Sequence, residues 1–237
     1  MPAFSFYSDI VPLDAAAHRN LRYRPIDDFS FARTTQSVAI GTGEFFDAAV
    51  DYPIVFIRAP HGVVPVALLG ARPDENLFVT ENGSWDSSYR PLFIQRYPFI
   101  TLDNGEPRRA VAFDPTAPNL RETEGERLLD DAGQPSPAFQ GQLKFLDRAH
   151  LDFQRGEGLA AMLDEKRLLQ PMSAQMSVDG GPQVELGGFE VIDIQKLDAM
   201  SIGEQGLLAK SGDLALIHAH LVSLRNFRKL LARIAQK

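Results

Sequence analysis

The chain has 237 residues, of which 44% are hydrophobic and 23% charged, and 31 acidic residues outnumber 24 basic ones, for a formal net charge of -7. These are ordinary globular values, and the length suffices for a substantial core, so disordered and fibrous classes are excluded. The absence of cysteine excludes disulfide scaffolds, thiolate metal sites, iron–sulfur clusters and cysteine nucleophiles. The acidic balance argues against a nucleic-acid partner, because binding to phosphates requires clustered Lys and Arg.

No segment of the sequence has the pattern of a signal or a membrane span. The start of the chain contains Asp9 and Asp14, which a secretory signal would lack. The longest apolar stretch, residues 62–71, contains Pro65 and is about half as long as a spanning helix must be. We therefore expect a cytoplasmic protein without a membrane span, folded as a single domain over residues 1–237.

The first part of the chain predicts an arm, a helix and a hairpin. Residues 1–43 are irregular but apolar, so we expect them to be docked on the body of the protein as an N-terminal arm. Residues 44–52 favour a short helix with apolar side chains facing inward. The β-branched or apolar runs 53–58 and 64–69 flank a Gly-containing connection, which is typical of a β-hairpin.

The middle of the chain is rich in turn-forming residues. Asn82-Gly83 and Asp103-Asn104-Gly105 are turn signals, because Gly and Asn tolerate positive φ. One strand is expected at 109–113. The following segment, 114–137, contains four prolines and many charges, which predicts an exposed loop.

The last part of the chain favours helices and a second hairpin. A helix is predicted from Pro137, an interruption at the Gly-Glu-Gly of 156–158, and a second helix over 159–169. Runs 172–178 and 183–194 flank Asp179-Gly180, a strong hairpin signal. An apolar stripe predicts a long amphipathic C-terminal helix over 213–234, with Asp213 as its cap.

These elements together predict the fold class. Two hairpins with a lone strand between them, in the order β-β, β, β-β, indicate one antiparallel sheet of about five strands covered by helices. The sequence therefore predicts an α+β domain.

Four parts of the sequence carry a resemblance to a known family. They are residues 10–14 with His18, residues 51–56, the long block 75–99 with its Asn-Gly-Ser-Trp, Tyr-Arg-Pro and Arg-Tyr-Pro-Phe motifs, and residues 219–226. In this order they resemble the SapC family over nearly the whole chain. Gln95 departs from the pattern, which would place a second arginine beside Arg96, so paired arginines are not expected to form an anion clamp here.

The resemblance implies little chemistry. The family takes its name from loci for the export of surface-array proteins, and its members are often encoded near outer-membrane receptors and flavin halogenases. It resembles no enzyme family with an assigned catalytic mechanism. A permease with a similar name spans the membrane, which this chain is not expected to do.

The block 85–99 is the candidate ligand- or partner-binding surface. Its aromatic residues recur four apart, as on one face of a helix, and its arginines can stack on rings or grip a carboxylate. The candidate residues are Trp85, Tyr89, Arg90, Phe93, Arg96 and Tyr97. The alternative is a helix lying on the sheet, bracketed by Pro91 and Pro98 and capped by Ser87 or Ser88, with its arginines reaching outward.

Other charged residues offer weaker candidates. Glu44, Asp47 and Asp51 can share one helix face and raise a carboxylate pKa, or form a solvated face. The end of the C-terminal helix is basic, with Arg225, Arg228, Lys229 and Arg233. These cations either interact favourably with the helix dipole or form a contact for an acidic partner.

No metal, nucleotide or hydrolase motif is present, and no catalytic residue can be assigned. His218 and His220, two apart on a helix, cannot share a metal, so structural or surface roles are expected.

The leading hypothesis is a non-enzymatic accessory protein that binds a peptide, a partner protein or a small ligand, without a cofactor. It is linked by resemblance to surface-protein export or outer-membrane uptake. One alternative is a ligand sensor similar in outline to PAS-type modules, which is an analogy of fold only. Another is an enzyme that acts with an oxidase or halogenase system. The apolar stripe of the last helix is also compatible with a homodimer.

Overall fold

The structure, a computed structural model, describes residues 6–102, 105, 109–177 and 183–235. The strands are β1 (Val11–Pro12), β2 (Arg22–Tyr23), β3 (Ser37–Ala39), β4 (Ile54–Ala59), β5 (Gly62–Leu68), β6 (Phe99–Leu102), β7 (Ala110–Phe113), β8 (Leu120–Arg121), β9 (Glu126–Arg127), β10 (Leu169–Ser177) and β11 (Gln183–Ile192). The helices are α1 (Phe45–Asp51), α2 (Leu92–Gln95), α3 (Pro137–Glu165), α4 (Ile194–Asp198), α5 (Ile202–Ser211), α6 (Asp213–Ser223) and α7 (Phe227–Ala235).

A five-stranded antiparallel sheet lies at the centre of the fold, in the order β10-β11-β4-β5-β3. Helix α3 packs against β5, whereas α6 packs against α1 and β4. The α+β class, the five-stranded antiparallel sheet and both hairpins predicted from the sequence are confirmed. The Asp179-Gly180 turn lies outside the described residues, as do Asp103 and Asn104 of the other predicted turn.

The strand that completes the central sheet differs from the predicted one. The expected lone strand is β7, which pairs with β6 and β1 in a separate three-stranded sheet. Its place is taken by β3, with Ser37 opposite Leu68 and Ala39 opposite Val66. Three residues are too few to show an alternating pattern, so β3 could not be recognised within the N-terminal arm.

The N-terminal arm and residues 114–137 both contribute to the core. Phe6 is buried, and its ring lies 5.2 Å from that of Phe31 and 5.5 Å from that of Phe93. In the second segment, β8 and β9 both pair with β2, and Leu120 and Leu128 are buried. That segment differs from the exposed loop the sequence predicts, because a few apolar side chains among its charges are covered by residues distant in sequence.

Helix α3 runs without a break through the two glycines predicted to interrupt it. Gly156 is buried against the backbone of the central sheet, and a Cβ built on it would lie 2.8 Å from the Ile40 carbonyl oxygen and 3.2 Å from Pro65 Cγ. Glycine at this position lets the helix approach the sheet closely. Gly158 is exposed and a Cβ there would meet nothing within 4 Å. The predicted interruption of the helix is therefore wrong. Gly156 is needed for a contact with residues distant in sequence, which a local pattern cannot show.

We predict opposite effects of alanine at these two glycines. Gly156→Ala should lower the free energy of unfolding by about 1–3 kcal/mol, since the new methyl group overlaps backbone that cannot easily move. Gly158→Ala, the matched control on the same helix, should raise it by about 0.5–1 kcal/mol through helix propensity. Urea denaturation of both variants checks this, and equal stabilisation by the two alanines would contradict the close approach of α3.

The C-terminal helical stretch is confirmed, as α6, a 3₁₀ turn at Leu224–Asn226 and α7. Asp213, predicted to cap it, is instead its first residue. Gly212, with φ 88°, precedes the helix, and Asp213 Oδ2 accepts a hydrogen bond from Ser211. Among the described residues, no helix combines the length and the apolar character needed to traverse a bilayer.

Buried His220 of α6 joins the two hairpins of the central sheet. Strands β11 and β4 are paired at Glu190↔Phe56, and extending this antiparallel register places Ile192 opposite Ile54. The imidazole of His220 lies between these two residues. Its Nε2 accepts the Ile192 N–H at 3.1 Å, and its Nδ1 lies 2.9 Å from the Ile54 carbonyl oxygen. This arrangement requires the neutral Nδ1–H tautomer, and His220 thus has the structural role expected from the sequence.

Two more side chains after His220 bond to the backbone at the start of β4 and in the segment before it. Ser223 Oγ accepts the Ile54 N–H at 2.9 Å. Asn226 Nδ2 donates to the carbonyl oxygens of Ala49 at 2.7 Å and Tyr52 at 3.1 Å. These side chains satisfy backbone groups that would otherwise be buried without a partner. The C-terminal residues that carry the family resemblance therefore have a structural reason to be polar.

The pH dependence of stability tests the role of His220. Burial lowers the pKa of its imidazole to about 4. The unfolded chain takes up this proton near pH 6.5 and the folded chain only near 4, so this residue makes the protein less stable as pH falls through that window, by up to about 3 kcal/mol.

We expect His220→Leu to cost about 2–3 kcal/mol at pH 7, because the bridged backbone groups lose their partner. The difference from the wild type should shrink between pH 6.5 and 4, as measured by urea denaturation across pH. Exposed His218→Leu is the control. A difference that stays constant with pH would contradict a buried neutral imidazole.

Candidate ligand-binding site

The aromatic block does not form the predicted helix. Only residues of α2 are helical within it, while Trp85 pairs with Val79 in an isolated antiparallel bridge. Arg90 and Tyr97 each precede a proline, and a residue in that position is disfavoured from helical geometry. Pro91, not a serine, occupies the position before α2. The aromatic residues spaced four apart therefore do not share a helix face.

Two carboxylates of the region around α1 hold the block in place. Asp51 Oδ2 accepts the Ser88 N–H at 2.9 Å and the Tyr89 N–H at 3.1 Å. Glu44 Oε1 accepts the Leu92 N–H at 2.7 Å and the Tyr89 hydroxyl at 3.0 Å. Glu44 is buried, so the predicted solvated acidic face is wrong for this residue. The sequence could not show it because two of the donors to Glu44, Tyr89 and Leu92, lie more than 40 positions away.

The rings and arginines of the block are mostly turned into the protein. Phe93 and Tyr97 are each 3% exposed, and Trp85 Nε1 donates to the Tyr52 hydroxyl at 3.0 Å. The guanidinium of Arg96 lies 3.9 Å from the centre of the Phe93 ring. The guanidinium of Arg90 likewise lies 3.9 Å from the centre of the Phe29 ring. Most of the candidate residues thus occupy the core or its border, which leaves Tyr89 as the member that opens on the main cleft described next.

A cleft of about 510 Å³ lies between α3, the start of α1 and the residues around α2. Its apolar lining consists of Leu92, Phe145, Ala149 and Leu151. The polar lining consists of Gly43, Glu44, Tyr89, Arg148, Asp152 and Arg155. This volume and this mixture of surfaces are typical of a site for a small organic molecule or a short peptide segment. Tyr97 borders a second cavity of about 240 Å³ on another side of the block.

The charges of the cleft are of two kinds. Asp152 Oδ1 accepts the Gly43 N–H at 2.8 Å and the Thr42 hydroxyl at 3.2 Å, so this carboxylate is already occupied. Arg148 and Arg155 are exposed, and neither forms an ion pair with another described residue. They lie seven positions apart, which is about 10 Å along α3. The two arginines of the cleft are therefore available to a ligand, whereas its carboxylates already accept hydrogen bonds within the protein.

Glu44 forms the floor of the cleft and has an unusual protonation equilibrium. Burial raises the pKa of its carboxyl group to about 7, and the nearby Asp152 adds to the effect. Hydrogen bonds from Gly41, Leu92 and Tyr89 act in the opposite direction. Burial, followed by the charge of Glu44, also raises the pKa of the Tyr89 hydroxyl. Titratable groups perturbed in this way are frequent at functional sites, although structural networks perturb them as well.

Glu44 gives a second pH prediction. The unfolded chain releases this proton near pH 4.5 and the folded chain near 7, so this residue makes the protein less stable as pH rises through that window, by up to about 3 kcal/mol. Glu44→Gln, which keeps the shape and cannot ionise, should lose this contribution. The free energy of unfolding of the variant relative to the wild type should therefore rise between pH 4.5 and 7.

The control for this prediction is Asp47→Asn, a substitution of an exposed carboxylate in α1, the helix that Glu44 directly precedes. The measurement is urea denaturation at several pH values. A relative stability of Glu44→Gln that falls or stays level over this window would contradict the raised pKa.

The basic C-terminal surface is partly used within the protein. Arg233 bonds to Asp86 Oδ2 at 2.6 Å and lies 4.3 Å from the centre of the Phe78 ring. Lys229 donates to the Val50 carbonyl oxygen and lies 3.9 Å from Asp51. Arg225 and Arg228 are exposed. The acidic-partner contact predicted for these four residues therefore stays a prediction, and of the four only Arg225 and Arg228 form no ion pair with another described residue.

Several cleft residues were not recognised in the sequence. Phe145, Arg148, Asp152 and Arg155 recur at spacings of three and four along α3, which is the signature of one helix face. The sequence predicts a helix here, but a face with three charged residues does not differ from an ordinary solvated helix surface. Over the part of the chain that the structure describes, no group of three or more His, Asp or Glu residues could hold a metal ion.

The comparison with protein families matches nearly the whole chain. A model of the SapC family covers residues 13–230. Neither the curated proteins nor the solved structures contain a match to this sequence.

Proposed function

The chain belongs to the SapC family, and from this premise we propose that it is a non-enzymatic accessory protein that binds a peptide, a partner protein or a small ligand in the cleft of α3. The observation that carries the proposal is the pair of exposed arginines, Arg148 and Arg155, which form no ion pair with another described residue and lie beside an apolar lining. Arginine is enriched in binding interfaces, and isolated concave sites with few polar groups are typical ligand sites. The family resemblance implies a link to loci for surface-protein export and outer-membrane uptake, which supports such a role. We propose that the protein acts in the cytoplasm and without a cofactor.

In this function the ligand contacts the face of α3 beside the aromatic block, rather than the block itself. Within the block, Tyr89 and Leu92 border the cleft, whereas Phe93 and Tyr97 are buried. The role of the block is then to hold the floor of the site rather than to meet the ligand. Rigid support of this kind preserves the geometry of a binding site.

An enzyme is the second candidate, and Glu44 is the observation in its favour. A carboxyl group with a pKa of about 7 beside a cleft is suited to proton transfer at neutral pH. Against this role, Glu44 is 1% exposed and already accepts three hydrogen bonds. Binding is therefore the better supported function. The sensor hypothesis, with a ligand on the central sheet, is favoured by another cleft of about 480 Å³ lined by residues of β4, β10 and β11, but the arginine there, Arg58, is already paired with Asp164 and Glu190.

Site-specific photocrosslinking tests the proposed site. Leu151 borders the cleft and is 49% exposed, so a benzoyl-phenylalanine in its place would reach a bound molecule. The same residue in place of Leu207 of α5, which is 68% exposed, serves as the control outside the cleft. We expect position 151 and not position 207 to capture a discrete species in the native host, identified by intact-mass spectrometry.

Three outcomes can be separated. A ligand or partner captured only at 151 supports the proposal. A small molecule that is chemically changed by the wild-type protein but not by Glu44→Gln would replace it with the enzyme hypothesis. The absence of any adduct at 151, with the protein folded and present at native level, would refute the cleft as a binding site.

A further inference from the structure

We propose that the ligand of this cleft is a monocarboxylate carried on an apolar group, either a free organic acid or the carboxyl end of a peptide. The inference rests on the proposed function and adds the chemical class of the ligand. It follows from the charges, the apolar surface and the donors of the cleft.

The charges favour one negative group on the ligand. Arg148 and Arg155 supply two positive charges, and Asp152, which keeps its charge although it accepts hydrogen bonds from Gly43 N–H and the Thr42 hydroxyl, offsets one of them. A single anion balances the one positive charge that remains. A dianion such as a phosphate would add repulsion from Asp152 and Glu44 below, and a cation would meet the two arginines.

The guanidinium groups are suited to this anion. Each presents a planar set of donors that matches a carboxylate in a bidentate manner, as it would a phosphate, so the preference for a carboxylate comes from the charge balance. Because the two arginines lie about 10 Å apart on one helix face, one of them can bind the carboxylate while the other borders the opposite end of the cleft. The exposed position of both leaves their side chains free to adjust to the ligand.

The apolar part of the ligand has a separate place. Leu92, Phe145 and Leu151 line the cleft with aliphatic and aromatic surface, and Leu151 is 49% exposed although it is apolar. An apolar group laid on this surface would remove it from water, which is worth about 25 cal/mol per Å². The volume of about 510 Å³ accommodates a phenylalanine-sized group with several neighbouring atoms.

Defined probes test the class of the ligand. N-acetyl-L-phenylalanine carries the carboxylate and the apolar group, N-acetyl-L-phenylalaninamide is its uncharged isostere, and phenyl phosphate is its dianionic counterpart. Binding is followed by NMR shifts of the protein amides and by calorimetry. We expect the acid to bind about tenfold more tightly than the amide or the phosphate, with shifts centred on the cleft.

Variants show whether the arginines are responsible. Arg148→Gln and Arg155→Gln remove the positive charge and leave a shorter polar side chain, and together they should weaken binding of the acid about tenfold without affecting the amide. Lys210→Gln removes an exposed cation from α5, outside the cleft, and is the control, expected to leave binding unchanged. A pentapeptide ending in phenylalanine, with a free or an amidated carboxyl end, distinguishes a peptide source from a free acid by its relative affinity.

Each result decides the inference. Equal binding of acid and amide, tighter binding of phenyl phosphate, unchanged affinity in the double arginine variant, or no binding of the acid at millimolar concentration would overturn the monocarboxylate class. The proposed function fails separately, when position 151 captures nothing. A captured species without a carboxylate would leave the binding role intact and refute only this inference.

Discussion

The fold depends on a buried imidazole that replaces a main-chain contact between two hairpins. His220 accepts the N–H of Ile192 and bonds to the carbonyl oxygen of Ile54, where neighbouring antiparallel strands would ordinarily bond to each other. Helix α6 is thereby bound to the sheet by its polar groups as well as by its apolar face. Buried polar groups are costly when they lose a partner, so this joint specifies one position of α6 on the sheet.

Polar side chains also bond to backbone groups at other places where irregular segments of the chain contact the core. Glu44 and Asp51 accept backbone N–H groups of the aromatic block, and Asn226 donates to the carbonyl oxygens at the end of α1. Irregular backbone cannot satisfy itself as helices and sheets do, and such side chains supply the missing partners. Many residues that carry the family resemblance are therefore polar for structural reasons. This accounts for a distinctive sequence that lacks a recognisable catalytic motif.

The cleft is a consequence of how closely α3 approaches the sheet and the chain before α1. Gly156 allows the helix to touch the backbone at Ile40, and Gly41 leaves room for Asp152, whose carboxylate a Cβ at that glycine would overlap. Asp152 accepts a hydrogen bond from Gly43, and Arg148 and Arg155 of the same helix line the cleft. The helix backbone that carries these arginines is thus held by groups already bonded within the protein, while their exposed side chains stay free to adjust to a ligand.

The sequence by itself determined the α+β class, both hairpins of the central sheet, the helical C-terminal stretch and the family, because these depend on local periodicity and on motifs in chain order. It also singled out Glu44 and the aromatic block, but not their contacts. Only the tertiary structure decided that β3 completes the sheet, that α3 is continuous, that the block is not a helix and that Arg148, Asp152 and Arg155 meet Tyr89 at one cleft. Each of these depends on partners distant in sequence, and neither propensity nor spacing reports which buried donor meets which acceptor.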